Sequence, residues 1–223
     1  DELMTRLGDI IKEKGLPLQS HLSENKGEIE WVGELCPDAR FYGDAYDRFN
    51  CFGGEGNKTV MAHCVWSSDE EIELMKKNGV FVAHSPSSNS NIASGIAPVR
   101  KFMEAGLNLG LATDVAGGTT LSVMRIMTDA IQVSKLYWRL VDDTKKPLTF
   151  PEAFYLATEG GGAFFGKTGS FKEGFELDAV VLSEDNIPTV LSDLSLCERL
   201  ERYVYISGEM PVEHKFVAGE MLF

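Results

Sequence analysis

The stretch LPLQSHLSEN, residues 16–25, introduces the pattern that decides the fold. It is a short apolar run that ends in polar residues, and the same form recurs in TVMAH (59–63), VFVAHSP (80–86) and LNLGLATD (107–114). Each run has the length of a strand and is bounded by Gly, Pro or Asn. Helical patterns separate the runs, which indicates βα units and an α/β fold with a parallel sheet.

The polar residues at the ends of these runs are of the types that carry hydrolytic chemistry. In a parallel α/β barrel, side chains at the carboxyl ends of the strands share one pocket. We therefore expect His21, His63 and Asp114 to lie together as candidate metal-binding or catalytic groups. Glu24 follows His21 by three residues and is of the type that moves a proton.

Each of these candidates also has an ordinary structural interpretation. His63 fits a core histidine that is paired with backbone, and Asp114 fits the N-cap of a helix that begins near Thr119. His84 precedes a polar loop, residues 85–89, and is interpreted equally well as a structural residue or as one near a ligand. The sequence leaves these alternatives open.

Other polar groups are predicted to be structural. His214 lies between charged neighbours and is expected on the surface, and the acidic run 69–73 is expected to be a solvated helix face. Residues 161–168 contain the letters of a phosphate-binding loop, but they follow a helical pattern. Because such a loop must follow a strand, this match is rejected.

Composition and charge exclude several classes of protein. The net charge is −13 without a cluster of Lys or Arg, which argues against nucleic-acid and anionic-membrane binding. The four cysteines show no Cys-x-x-Cys spacing, so we expect reduced thiols and a cytoplasmic protein. No apolar stretch approaches the roughly 20 residues that span a bilayer.

The helical patterns fall mainly in the first three quarters of the chain. The chain begins inside an amphipathic helical pattern and is expected to continue a longer protein. A capping box at Ser67 and Glu70 is expected to start one helix, which ends at Gly79. The other helices are predicted at residues 26–35, within 41–56, at 99–105, 119–141 and 151–165.

The pattern changes after about Gly174, which is taken as a domain boundary. Strands are predicted at residues 175–182, 202–207 and 215–223, with turns at 208–209 and 218–220. The tail is therefore expected to be a small β element.

Four motifs resemble a known family. They are QSHLSEN (19–25), MAH (61–63), HSPSSN (84–89) and TDVAGG (113–118). In this order they are similar to the amidohydrolase superfamily, and within it to the enzymes that deaminate guanine. The resemblance implies that residues 1–174 are the C-terminal half of a (β/α)8 TIM-type barrel, strands five to eight. It also implies that residues 175–223 are part of a β-sandwich.

The resemblance also assigns roles at the site. His21 and Asp114 are implied to bind one zinc ion, Glu24 to shuttle a proton, and His63 to hold or help deprotonate the attacking water. The catalytic set is thus Glu24, His63 and Asp114, and the substrate-contacting set is His21, Glu24 and Asp114. The family's His-x-His pair is absent, so two further histidine ligands are expected from upstream sequence, and this chain alone is expected to be inactive.

The implied activity is zinc-dependent hydrolytic deamination of guanine to xanthine and ammonia by a homodimer. One alternative is another amidohydrolase that acts on a cytosine, triazine or adenosine derivative. A second is a non-catalytic α/β module that only binds a partner. The deaminases of nucleic-acid bases use His-x-Glu with Pro-Cys-x-x-Cys, a pattern that Cys36-Pro37 does not fit.

Overall fold

Four parallel strands form the main sheet of the protein. The computed structural model describes residues 1–185, 187–188, 190–207 and 212–223. Strands and helices alternate over the first two thirds of the chain, and a second small sheet follows. In chain order the elements are α1 (Glu2–Lys14), β1 (Leu18–Leu22), α2 (Lys26–Leu35), α3 (Tyr42–Asp47), β2 (Thr59–His63), α4 (Asp69–Asn78), β3 (Phe81–His84), α5 (Pro86–Asn91), α6 (Val99–Ala105), β4 (Asn108–Leu111), α7 (Val123–Leu140), α8 (Phe150–Tyr155), a π-helical turn (Leu156–Gly160), β5 (Ala179–Val181), α9 (Leu196–Ser207), β6 (His214–Val217) and β7 (Glu220–Met221).

The main sheet has the order β1-β2-β3-β4, with every neighbouring pair parallel. Parallel neighbours need a long crossover connection, and each connection here contains at least one helix. The predicted α/β fold with a parallel sheet is therefore confirmed. Since all four strands run the same way, their carboxyl ends lie at one edge of the sheet.

An apolar cluster of described residues lies between the sheet and its helices. The strands contribute Met61, Val82 and Leu109, while Phe102 of α6 is completely buried against them. Burial of this apolar surface is the main favourable contribution to folding. The core thus fixes the strands whose ends carry the candidate residues.

Glycines allow the π-helical turn to approach β4 closely. A Cβ on Gly110 would lie 2.8 Å from the Cα of Gly161, and one on Gly160 would lie 2.7 Å from the carbonyl oxygen of Leu109. Neither position tolerates a side chain without movement of backbone. Gly160 and Gly161, where the rejected phosphate-loop match at 161–168 begins, are therefore glycines that allow close packing.

Most predicted helices of the first part are confirmed. Helices α2 and α6 have the predicted bounds, and α4 ends at Gly79, whose φ of 67° is the left-handed conformation that glycine adopts easily. The predicted cap of α4 is wrong by one residue: the Ser68 hydroxyl, not that of Ser67, accepts the backbone N–H of Glu71. Ser67 is buried instead.

Three other predicted elements differ from the structure. The polar loop at 85–89 is the start of α5, with Pro86 at its first position, where the missing N–H costs nothing. Helix α7 begins at Val123 and is capped by Ser122. The helix predicted at 151–165 is the short α8, capped by Thr149 and Glu152 in a capping box, followed by the π-helical turn.

The predicted strand at 202–207 is wrong, because these residues belong to α9. Its residues Tyr203 and Val204 are buried on one face, whereas Leu196 is exposed. The Ser195 hydroxyl accepts the N–H of Glu198, whose carboxylate accepts the N–H of Ser195 in return. This capping box starts a helix, so segment 175–223 is not purely β.

The remaining tail does form a small antiparallel sheet of β5, β6 and β7. Only residues 179–181 of the predicted strand 175–182 are in β5. The predicted turn at 218–220 is confirmed, with φ of 51° at Ala218 and 81° at Gly219. The turn predicted at 208–209 lies outside the described residues. In the described part of the chain, no helix combines the length and the apolar character needed to cross a membrane.

Candidate active site

The parallel sheet brings the sequence-predicted residues to its carboxyl edge. His21 lies near the end of β1, and His63 and His84 are the last residues of β2 and β3. Leu22 is in register with His63, which sets β1 and β2 level at this edge. Asp114 lies three residues beyond the end of β4.

Four of the predicted side chains converge, those of His21, Glu24, His63 and Asp114. The Glu24 Oε2 atom lies 3.8 Å from His21 Nδ1 and 3.7 Å from His63 Nε2. Asp114 Oδ2 lies 3.9 Å from His63 Nε2. The two imidazole rings are 4.6 Å apart in an edge-to-face arrangement. The structure thus brings together His21, Glu24, His63 and Asp114, as the sequence predicted.

The cluster is enclosed on one side and open on the other. His63 is 1% exposed, and the side chain of Glu24 is 11% exposed. The side chains of Asp114 and His21 are 32% and 52% exposed. The site therefore has a buried pair, His63 and Glu24, and a pair that solvent reaches, His21 and Asp114.

The donor set fits a metal ion. Ligand atoms of His21, Glu24 and His63 all lie within 4.8 Å of one another, with Asp114 beside them. The His63 Nε2 atom is buried and has no hydrogen-bond partner among the described residues. Because an unpaired buried nitrogen is costly, a ligand or water at this point would satisfy it. Imidazole and carboxylate together are typical zinc ligands.

Left-handed backbone conformations occur at the site. The φ angles are 45° at Ser23, 71° at His63 and 49° at Asp114, all non-glycine residues. Such conformations are unfavourable for these residue types and persist only where surrounding contacts fix them. Each of the three follows or ends a strand, so the strained backbone directs the chain away from the sheet edge just where the chemistry-bearing side chains lie.

The two structural alternatives for His63 and Asp114 are not what the structure shows. The Nδ1 atom of His63 is 2.9 Å from the side-chain oxygen of Asn89, so its partner is a side chain and not backbone. The N-cap of α7 is Ser122, eight residues after Asp114. Both residues instead direct their side-chain atoms towards the cluster.

His84 does not join the cluster through any hydrogen bond or ion pair of the described residues. It is completely buried, and both of its ring nitrogens lack a partner there. Burial, with a contribution from nearby His63, lowers the pKa of His84 to about 4, so the ring is neutral at physiological pH.

The residues around Glu24 are each committed to a different contact. Ser20 shares a hydrogen bond of 2.8 Å with the Tyr46 hydroxyl, and the Ser23 hydroxyl donates to Glu71 Oε2 at 2.8 Å. Asn25 caps α2 by accepting the N–H of Glu28, whose carboxylate accepts the N–H of Glu24. The segment is therefore held on both sides of the candidate proton carrier.

Several contributors were missed from the sequence. Ser94 donates a 2.8 Å hydrogen bond to Glu24 Oε1, and nothing in the sequence singled it out, whereas Asn89, which contacts His63, belongs to the polar segment 85–89 that was considered from the sequence. Glu71 is 1% exposed, although the acidic run containing it was predicted to be a solvated helix face. Only helical spacing could have indicated this. Viewed down the axis of α4, Glu71 falls on the same face as the buried residues Ile72 and Leu74. His214 is exposed, as predicted.

Comparison with known proteins gives the family. The Amidohydrolase family profile matches residues 1–222. This chain belongs to the amidohydrolase family. It is 37% identical over 228 residues to the guanine deaminase of Dictyostelium discoideum, covering 100% of this chain and 50% of that protein.

Two solved structures extend the comparison. The crystal structure of guanine deaminase from C. acetobutylicum with bound guanine superposes with a TM-score of 0.94 at 44% identity, over 100% of this chain and 52% of that one. An adenosine deaminase from Xanthomonas campestris with bound zinc gives a TM-score of 0.80 at 22% identity, over 98% of this chain and 48% of that one, which shows the shared fold. The chain spans about half the length of the curated relatives it matches.

Proposed function

We propose that this chain carries half of the catalytic machinery of a zinc-dependent guanine deaminase. The observation that carries the proposal is the position of Glu24 Oε2, which lies 3.7 and 3.8 Å from the two imidazoles. A carboxylate beside metal-binding histidines is the arrangement that hydrolytic deamination requires. The relatives named guanine deaminase support guanine as the substrate.

His21 and Asp114 are the proposed zinc ligands of this chain. Two further histidines, from a segment that precedes this sequence in the whole enzyme, are proposed to complete the set. When bound, zinc supplies a Lewis acid that lowers the pKa of water towards neutrality. The imidazole and carboxylate atoms at the sheet edge support this assignment, and the shared fold with a zinc-bound adenosine deaminase is consistent with it.

The chain's own residues account for the proton movements. Glu24 takes a proton from the attacking water at Oε2 and delivers it to a ring nitrogen of guanine, as oxygen adds to C2. The buried Nε2 of His63 accepts the second hydrogen bond of that water, and Asp114, 3.9 Å from the same nitrogen, would hold the zinc. Glu24 then moves the remaining proton of that oxygen to the amino nitrogen, the bond from C2 to the amino nitrogen breaks as the C2=O bond forms, and ammonia leaves xanthine behind.

The architecture of the whole enzyme is part of the proposal. We place residues 1–174 as strands five to eight of a (β/α)8 barrel, and residues 175–223 as a segment of a β-sandwich. Strands β1 and β4 are the edges of the four-stranded sheet, which is where further strands would pair. We also propose that the whole enzyme is a homodimer in the cytoplasm and has no nucleic-acid or membrane partners.

The test measures guanine-to-xanthine turnover and zinc content of the whole enzyme. Glu24→Gln and Asp114→Asn should each lower kcat at least about a hundredfold, since both remove a charge at the reacting centre. Asp114→Asn should also lower zinc content, whereas Glu24→Gln should leave it near that of the unaltered enzyme. Glu30→Gln, an equal change of charge at an exposed position of α2, is the matched control.

The same assay separates the alternatives. Turnover of an adenosine, triazine or cytosine derivative in place of guanine would show that the enzyme catalyses another amidohydrolase reaction. If the protein retained no zinc, and if Glu24→Gln did not change its binding to a partner, the chain would be a non-catalytic module.

A further inference from the structure

The segment from Asn89 to Ser94 lies behind the candidate site and contacts three parts of it. Asn89 pairs with His63, and Ser94 donates to Glu24. Between them, the Asn91 amide donates to the carbonyl oxygen of Gly117, in the turn that follows Asp114. One six-residue stretch after β3 therefore contacts the segment that follows β1, the last residue of β2 and the turn that follows β4.

The contact of Ser94 selects one oxygen of Glu24. Oε1 accepts the Ser94 hydroxyl at 2.8 Å, while Oε2 faces the two imidazoles. Ser94 is only 5% exposed, so water does not compete freely for this hydrogen bond. The carboxylate is thereby prevented from rotating Oε2 away from the reacting centre.

The contact of Asn89 orients the imidazole of His63. With the side-chain oxygen of Asn89 accepting from Nδ1–H, the Nε2 atom is left unprotonated, 3.7 and 3.9 Å from the Glu24 and Asp114 carboxylates, where it can accept a hydrogen bond from a water. Asn89 is 1% exposed and His63 also 1%, so the pair lies away from solvent. The nitrogen that faces the site is thus set by the residue behind the ring.

The segment is itself held rigidly. The carbonyl oxygen of Asn89 accepts the N–H of Ser94 at 2.9 Å, and the indole N–H of Trp66 donates to the carbonyl oxygen of Ser94 at 2.8 Å. Gly95 has a φ of 129°, and a Cβ there would lie 3.0 Å from Val65 and 3.1 Å from the Trp66 ring. A close approach of this kind fixes Ser94 against the chain that leaves β2.

We propose that Ser94 and Asn89 are positioning residues of the reaction: Ser94 holds Glu24, and Asn89 holds His63. The proposal rests on the proposed function for its kinetic consequences, but its geometric basis is independent of the substrate. Small errors in placing an acid–base group cost large factors in rate. Neither residue contacts the reacting atoms, and their effect passes through the two side chains they hold.

The kinetic test uses the whole zinc-loaded enzyme and guanine. Ser94→Ala should lower kcat about tenfold or more, with KM within about twofold and zinc content unchanged. Ser94→Thr, which keeps a hydroxyl, should recover most of kcat. Ser90→Ala is the matched control, because Ser90 is exposed on the same segment and its hydroxyl donates to the carbonyl oxygen of Pro86.

A double-mutant comparison separates positioning from general disturbance. In Glu24→Asp the shortened carboxylate no longer reaches Ser94, so adding Ser94→Ala should cost less than about threefold further. An unchanged kcat in Ser94→Ala, or a further tenfold loss in the Glu24→Asp background, overturns the role of Ser94.

A spectroscopic test does not depend on the substrate. Long-range 1H–15N spectra should show the His63 proton on Nδ1 in the unaltered enzyme and in Ser90→Ala, and a changed pattern in Asn89→Leu. A pattern that does not change in Asn89→Leu overturns the role of Asn89. Absence of guanine turnover in the unaltered enzyme overturns the proposed function and, with it, the kinetic role of Ser94, whereas the spectra still decide the role of Asn89.

Discussion

Removal of the Glu71 carboxylate should destabilise the protein far more than its place in an acidic run suggests. Glu71 Oε1 accepts the backbone N–H of Gly43 at 2.7 Å, and Oε2 accepts the Ser23 hydroxyl at 2.8 Å. Glu71→Ala leaves both donors buried without a partner, at about 1–3 kcal/mol each. We expect the free energy of unfolding to fall by about 3–4 kcal/mol.

The isosteric variant should behave differently. In Glu71→Gln the amide oxygen can accept from Gly43 and the amide N–H can donate to the Ser23 hydroxyl, so the loss at neutral pH should stay below about 1.5 kcal/mol. Burial raises the pKa of Glu71. A raised carboxyl pKa contributes stability that is present below the ordinary pKa of about 4.5 and is lost as pH rises through the folded value. Glu71→Gln should therefore gain relative to the unaltered protein as pH rises above 5.

Urea unfolding of the purified protein measures both effects. Glu73→Ala is the matched control, since Glu73 is exposed on the same helix, and it should change stability by less than about 0.5 kcal/mol. A loss in Glu71→Ala of less than about 1 kcal/mol would show that the two hydrogen bonds do not matter as argued.

Two further predictions concern other parts of the fold. Hydrogen bonds from Arg100 and Thr149 lower the pKa of Glu152 to about 2. The stability that this carboxylate contributes should be present above pH 4.5 and lost as pH falls towards 2. In acid unfolding, Glu152→Gln should lack that loss, which is about 1–2 kcal/mol after solvent screening. Substitution of two helical glycines by alanine should have opposite effects on stability in thermal unfolding. Gly8→Ala should destabilise the protein, because its Cβ would lie 1.9 Å from the Phe49 carbonyl oxygen. Gly33→Ala has open space around it and should raise the free energy of unfolding by about 0.5–1 kcal/mol. Equal effects at the two glycines would contradict this reasoning.

The parallel sheet was predictable because local sequence specifies it. Strand-length apolar runs with polar ends, separated by helical patterns, place His21, His63 and Asp114 at one edge without any knowledge of the side-chain contacts. The residues that hold these groups were not predictable. Ser94 lies 70 positions from Glu24, and a long-range hydrogen bond of this kind leaves no periodic signal in the sequence.

The errors in the tail have a local cause. Residues 202–207 include β-branched and aromatic residues, which favour strands by propensity alone. The helix is decided upstream by the capping box at Ser195 and by the buried face that includes Tyr203. Ser67 and Ser68 show the opposite difficulty, since two adjacent serines offer the same cap and only packing selects between them.

The segment Gln19–Asn25 has a consequence for how this family can vary. Within it, Ser20, Ser23 and Asn25 each make a separate hydrogen bond, and His21 and Glu24 face the site. Inserting or deleting one residue here would shift strand register, helix start and proton carrier together. We therefore expect insertions and deletions among relatives to fall in other loops, and the length of the seven-residue segment to stay constant.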